Sequence, residues 1–412
     1  MVVTDGRVIT LTTFAGVRDA FRQKALRQAL YDQGALVMAD CLLDLHGEGH
    51  RNRRRLENRL FRRETFEMFE REVLPATIEA VLAPAVSRGR GDLVSLGYRA
   101  VMNLTARIAG IDRTEGTDEE TDALLAFAVK FGEGATMAHS TRDRSVLEAE
   151  VASDMAAFDQ RFFQPSLACR RALVAEVEGG GADPAGLPRD VLTTLVANVD
   201  HLALPEEVMR REVAFYLQAG GHSTANALTH AMDDIFAWVE GRPDRAAQLS
   251  ADPTLVQRCV HETLRLHPAS PEARRRALAT CELSDGVTAE EGDLVVMDLM
   301  AANRDPQVFG PDAAAYDPLR RVPEGVAPWG HSFGAGMHAC IGMELDGGNP
   351  PGSPGSPGAA DRLLGTVTLL ACAFLAHGAG PDPDRPPVGS RDSARPHFSS
   401  YPVVFAGAGS TR

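Results

Sequence analysis

The ten residues Phe333-Gly334-Ala335-Gly336-Met337-His338-Ala339-Cys340-Ile341-Gly342 constrain this chain more than any other stretch. Two glycines flank one small residue, so the backbone can turn tightly and approach a flat partner closely. A cysteine closes the segment, and Ile-Gly and sequence of helical character follow it. Free backbone N–H groups and a helix N-terminus favour thiolate over thiol. The fold must therefore present a cysteine from a glycine-rich loop. Taken by itself, the same cysteine also reads as a buried, inert thiol in a turn.

The rest of the chain divides unevenly around this loop. Apolar residues recur with a spacing near 3.6 over Met68 to Val86 and Leu96 to Ala109, and Asp118 to Phe131, Arg144 to Glu178, Pro205 to Val239 and Leu255 to Leu266 also have helical character, so that all six predict helices. Pro165 is a break within the fourth of these, and Pro205 suits the first turn of the fifth. Arg7 to Thr12 predicts a strand, Val17 to Leu45 helical stretches, and Glu48 to Leu60 a basic helix. Gly132 to Thr141 is a loop candidate. Beyond Pro268 the texture changes to turns and short strands such as Leu294 to Asp298 and Val403 to Phe405. This is a mainly α, α+β pattern in one domain over residues 1–412. Residues 346–360 contain a Gly/Pro/Ser run that fits neither a helix nor a strand interior, and they predict a disordered insertion with the helix resuming near Asp361.

A net charge of −14 argues against a nucleic-acid partner. The six cysteines form no CxxC pair and no zinc spacing, which suggests thiols in a reducing compartment. No secretory signal is legible in Met1 to Phe14. The longest uncharged apolar stretch, Leu363 to Ala376, is shorter than the roughly 20 residues a membrane span needs. The expectation is a cytoplasmic protein with no membrane association.

The Phe333–Gly342 segment resembles the haem-binding loop of the cytochromes P-450 at Phe333, Gly334, Gly336, His338, Cys340 and Gly342. Three further landmarks of that family follow in order. Glu262-Thr263-Leu264-Arg265 resembles its helical Glu-x-x-Arg, whose i,i+3 spacing puts both charges on one helix face. Ala302 to Pro306 and Tyr316 to Arg320 look like the two landmarks between that helix and the cysteine loop. The resemblance implies haem b with Cys340 as its metal ligand, and a Glu262, Arg265 and Arg320 triad beneath it. A thiolate axial ligand favours O–O cleavage. It also implies that His50 and Arg54, matching the family's His-x-x-x-Arg, clamp the haem propionates together with Arg275 and His338. Arg274 and Arg276 are rivals for the role of Arg275.

Ala219-Gly220-Gly221-His222-Ser223-Thr224 lies within the long helical pattern. Two interior glycines cost about 1 kcal/mol each against alanine, so something should require them. By resemblance this is the distal helix, kinked beside bound oxygen, with Gly220 close to the haem. The family commonly has an acid followed by threonine here, where this chain has His222 and Ser223. Ser223, His222 and Thr224 are the candidate catalytic residues. Ser223 keeps a hydroxyl that can organise water, and His222 could relay protons near neutral pH or be a satisfied structural histidine.

The resemblance implies a monooxygenase that hydroxylates or epoxidises a small, largely apolar organic molecule with O2. Electrons would come from a ferredoxin or flavodoxin and its reductase, because no Rossmann or flavin motif is present. Arg51, Arg53, Arg55, Arg59, Arg62 and Arg63 offer such a partner a basic face. Oxidative coupling or rearrangement needs the same oxidant and is the alternative. An alternative of another class is a non-catalytic activator of a partner enzyme, although such members have lost the cysteine. The His50/Arg54 motif comes several dozen residues earlier than is usual, so the family's opening elements look shortened or missing.

Overall fold

In the computed structural model, residues 6–351 and 362–406 are described. The organising element is one helix, Glu206–Val239, of 34 residues, or about 50 Å at 1.5 Å per residue. It is buried on every side between Val208 and Phe236, which marks a helix at the centre of the molecule rather than on its surface. The Leu93–Ala109, Asp118–Ala135 and Pro253–Leu266 helices pack around it. The helix runs without a break through Gly220-Gly221, where the kink is expected. Packing requires the first of them: a Cβ on Gly220 would lie 2.6 Å from Thr105 Cγ2. Gly221 has only Met102 within reach, at 3.7 Å, and packing does not call for a glycine there.

A four-stranded sheet stands beside the helices in the order Val8–Leu11, Leu294–Asp298, Glu272–Ala277, Leu26–Gln28. Its first pair is parallel and the others are antiparallel. A three-stranded sheet joins Arg90–Asp92, Pro402–Phe405 and Ala379–Pro381. The expected helical run over 17–45 is a helix only at Phe14–Arg22 and Ala35–Met38. Between them Leu26–Gln28 is a strand, because pairing with Glu272–Ala277 outweighs its local spacing.

Arg144 to Glu178 divides into Arg144–Phe158 and Gln164–Glu178 around a π turn, with Pro165 in the first turn of the second helix. Proline has no N–H to donate back, and the widened turn absorbs the missing bond. The same device precedes Leu74–Arg88, which carries Pro75 in its first turn. The loop expected over 132–141 is shorter, since the Asp118–Ala135 helix runs into it.

Of the 346–360 insertion, residues from 352 onward lie outside the described ones. Its stems are tied together. Asn349 N donates to Leu363 O at 2.9 Å, Gln257 Nε2 donates to Leu363 O and Leu364 O, and Glu70 accepts from the amides of Leu364 and Gly365. The helix resumes at Thr366, later than the expected Asp361. Gly365, at φ +88°, turns the chain back against Gly348 before the helix can start.

The basic helix is Gly47–Glu57. Arg53 does not belong to its outer face: it is buried and its Nη1 donates to Glu212 Oε2 at 2.7 Å. Arg63 pairs with Glu67. The exposed cations are Arg51, Arg55, Arg59 and Arg62. No helix among the described residues is long and apolar enough to cross a membrane.

The Glu262, Arg265 and Arg320 triad is formed and buried. Arg265 Nε and Nη2 bind the Glu262 carboxylate in a fork at 2.8 and 2.6 Å, and Arg320 Nε reaches Glu262 Oε1 at 3.1 Å. Arg265 Nη1 also donates to Asn303 O and Ala313 O, both at 2.6 Å. Removing one partner of a buried pair leaves the other charge uncompensated, at a cost of about 3–5 kcal/mol. Glu262→Ala should therefore lower unfolding free energy by about that amount, read from denaturant midpoints. A loss below about 1 kcal/mol, the level of a surface pair, would show that the triad is not a structural clamp.

Candidate active site

Gly334 and Gly336 have φ of +64° and +67°, which an L side chain rarely adopts. They fold the loop back on itself, and Cys340 N donates to Phe333 O at 2.9 Å to close it. Gly336 also lies so close to the Phe21 carbonyl that no Cβ fits there. Phe333 stands edge-on to Trp329, at 5.3 Å between ring centroids. The loop is held from behind by Asn303, whose Oδ1 accepts from His331 N and whose Nδ2 donates to Ser332 Oγ.

The cysteine faces a cavity of about 330 Å³. Cys340 has substantial accessible surface, and that surface belongs to the cavity wall rather than to the outside of the molecule. Burial accordingly raises its thiol, to about 11. Gly342 N–H points at the sulfur and acts in the opposite direction. Phe333, Gly334 and His338 share this wall; Gly336 does not. Ala219, Gly220, Ser223 and Thr224 of the Glu206–Val239 helix form the opposing wall, with Leu104, Ile108, Phe215 and Leu299 among the apolar residues between.

One end of the cavity is basic. His50, Arg54, Arg275 and His338 converge there. The His50 and His338 rings are 4.5 Å apart, and none of their four nitrogens has a hydrogen-bond partner. Arg54 donates to Ala339 O and Asn58 Oδ1. Arg275 is 4% exposed and donates to Gln28 Oε1 and Arg274 O. Among the described residues, neither arginine pairs with a carboxylate. Burial lowers Arg275 to about 10, and lowers His50 to about 4 with help from Arg54. The rivals of Arg275 are engaged elsewhere: Arg274 holds Glu272, and Arg276 donates to Gly292 O. Strand alternation sends both to the other face.

The three candidate catalytic side chains separate. Ser223 lines the cavity, its Oγ donating to Ala219 O at 2.6 Å. Thr224 also lines it and hydrogen-bonds Asp346 Oδ1 at 2.7 Å. Asp346 is a cavity residue that the sequence did not single out. Burial pushes its carboxyl up to about 6, against the effect of Thr224. His222 points elsewhere, into a second cavity. Its Nδ1 meets Tyr98 Oη, while Nε2 faces two N–H donors, Arg395 Nη2 at 2.8 Å and Asn226 Nδ2 at 3.1 Å. Nε2 must therefore accept, so the ring is neutral with its proton on Nδ1. Burial and the Arg395 charge hold it well below the ordinary histidine range. The expected titration of His222 near neutral pH does not suit this setting.

Residues 190–345 match the family model for cytochrome P450. Over this stretch the chain resembles the cytochrome P450 family. Over 102 residues it is 43% identical to the cytochrome P450 family protein EryCII of Saccharopolyspora erythraea, covering 24% of this chain and 27% of that protein. Over 159 residues it is 33% identical to the cytochrome P450 monooxygenase PikC of Streptomyces venezuelae, covering 38% and 36%. The matches thus span well under half of these relatives. Solved structures match the fold over nearly the whole chain. CalO2 superposes with a TM-score of 0.73 at 19% identity, covering 99% of this chain and 93% of that one. A mutant of P450 EryK in complex with erythromycin B gives 0.68 at 20%, covering 98% and 92%.

The family implies haem, and the residues fit it. Among the described residues, no three His, Cys, Asp or Glu side chains converge to hold a bare metal ion. A single thiol facing a cavity suits instead an iron that arrives with its ring nitrogens already in place. The opposite requirement is met at the basic end, where unpaired guanidinium and imidazole groups suit two carboxylates. Arg275→Leu and Arg54→Leu should each weaken haem retention by roughly tenfold or more, the scale of a charge-assisted hydrogen bond. Transfer of haem to apomyoglobin measures this, and unchanged transfer rates in both variants would remove the clamp.

Proposed function

We propose that this protein is a haem-thiolate monooxygenase acting on a small, largely apolar organic molecule. The observation that carries the reading is one apolar cavity with the Cys340 thiol on one wall, unpaired cations at one end, and the small residues Ala219 and Gly220 opposite the cysteine. When bound, haem supplies the activation of O2, in which two electrons and two protons leave one oxygen atom in the substrate and the other in water. The similarity to the monooxygenase PikC and to the mycinamicin VIII C21 methyl hydroxylase of Micromonospora griseorubida, 34% identical over 146 residues, supports this class of reaction.

The chain's part is positioning, exclusion of water and proton supply. Cys340 holds the iron, and the Phe333–Gly342 loop, shielded by Phe333 and Trp329, keeps water from the sulfur. His50, Arg54, Arg275 and His338 hold the propionates. Leu104, Ile108, Phe215 and Leu299 give the substrate an apolar chamber, whose burial drives binding. Ser223 keeps a hydroxyl oxygen at the cavity wall that can accept from water. Asp346, through Thr224, is the acid that feeds it, in place of the carboxylate missing from position 222. Its proton is present below about pH 6 and lost above. Electrons come from a ferredoxin or flavodoxin, and Arg51, Arg55, Arg59 and Arg62 steer its acidic face.

Compounds that shift the haem absorption band identify a substrate. Turnover of such a compound with ferredoxin and reductase under 18O2 should place one labelled atom in the product. Ser223→Ala and Asp346→Asn should each increase peroxide released per electron pair. In the parent protein that leak should rise as pH passes upward through about 6, and Asp346→Asn should flatten the rise. Label arriving from water, or a leak unchanged in both variants, contradicts the reading.

A further inference from the structure

The side chain of His222 faces a second cavity, of about 280 Å³, which shares no lining residue with the Cys340 cavity. It lies among the Glu206–Val239, Leu93–Ala109 and Asp118–Ala135 helices and the chain around the Val388–Gly389/Phe398–Ser400 hairpin. Arg395 is its main cation. Arg395 Nη2 donates to Thr136 Oγ1 at 3.0 Å and to His222 Nε2 at 2.8 Å, and its Nε–H is buried without an acceptor. Among the described residues it pairs with no carboxylate. The acids nearest at hand do not supply one. Glu133 is held by Lys130 and Arg142, both at 2.9 Å, and Asp392 lies at the exposed rim with no bond to Arg395. The other titratable groups on the walls are Tyr98 and His397, and His397 Nδ1 meets the Arg395 carbonyl.

A half-buried guanidinium without an anion is costly unless something compensates it. The neighbours are arranged to aim the group rather than to neutralise it. Tyr98 fixes the His222 tautomer, and neutral His222 then fixes Arg395. Val94, Leu125, Val129 and Phe398 give the cavity an apolar patch, and Ser95, Ser140, Ser390, Ser393 and Ser399 complete its wall. A small cleft of about 10 Å³ lies between the two cavities; it shares Ala227 and Ala269 with the thiol cavity and Arg395 and His397 with the second. Tyr31, on the wall of the thiol cavity, feels the charges of both Arg395 and Cys340.

We propose that Arg395 is an anchor for the carboxylate of an organic acid, held in this second cavity with its apolar body against Val94, Leu125, Val129 and Phe398. This binding does not rest on the proposed function. His222 is a positioning residue that acts through Arg395. A planar guanidinium matches a planar carboxylate, and the apolar patch matches a compact hydrocarbon body.

The test is calorimetric and NMR titration of the haem-loaded protein with 4-ethylbenzoate and with its uncharged counterpart, 4-ethylbenzamide. The acid should bind roughly tenfold or more tightly than the amide, as one charge-assisted contact allows. Arg395→Gln should erase the preference, Arg395→Lys should keep part of it, and Tyr98→Phe should weaken it without removing it. The haem spectrum of each variant reports that the fold is kept. Equal binding of acid and amide, no saturable binding of either at millimolar concentration, or a preference that survives Arg395→Gln would overturn the anchor. A thiolate-type spectrum with no acid preference defeats this proposal alone. An acid preference in a protein without that spectrum upholds the anchor and defeats the monooxygenase reading.

Discussion

The carboxylate of Glu262 is the point from which the cysteine loop is hung. It receives the fork of Arg265 and the Nε–H of Arg320. Arg265 then holds the carbonyls of Asn303 and Ala313, and Asn303 holds His331 and Ser332 at the head of the loop. The chain around residues 303, 313, 320 and 331 is thereby fixed to one buried charge on the Pro253–Leu266 helix. A loop with two glycines at positive φ has little stiffness of its own. Its ability to present a sulfur at one place depends on this frame, and so does the cavity wall it forms.

Charge burial sets the rest of the architecture. Arg53 is compensated by Glu212, and Arg265 and Arg320 by Glu262. These pairs stiffen the places where the Gly47–Glu57 and Pro253–Leu266 helices meet the molecule's centre. The cations that face cavities differ: Arg54, Arg275 and Arg395 have only neutral partners among the described residues. In a low-dielectric interior that contrast separates structural arginines from those that await an anionic ligand. The two kinds cannot be told apart by residue type, since Arg53 and Arg54 are neighbours on one helix.

The cysteine loop, the Glu-x-x-Arg helix and the long central helix were legible because each is specified by residues close in sequence. His50, Arg54 and Arg275 were singled out by the family resemblance, which left Arg274 and Arg276 as rivals until the structure engaged them elsewhere. Contacts between distant segments were not legible. Arg53 looks like one more surface cation until Glu212, 159 residues away, is brought against it. Asp346 reads as the start of an insertion until Thr224, 122 residues away, meets it. Its one sequence signal was a carboxylate six positions after the cysteine, on the same short helix-forming stretch. His222 took the place of an expected acid, but its partners Tyr98 and Arg395 turn it toward another cavity. The strand at Leu26–Gln28 was missed because its partner is likewise more than two hundred residues off.

The central claim is that Cys340, as a thiolate, is the protein's ligand to haem iron. The most direct measurement is the absorption spectrum of the dithionite-reduced, carbon-monoxide-bound protein, taken beside Cys340→His. The parent should show the strongly red-shifted Soret band of thiolate ligation. The variant should retain haem and show the band of an imidazole-ligated iron. A parent spectrum of the imidazole type, or a red-shifted band that survives replacement of Cys340, would contradict the account.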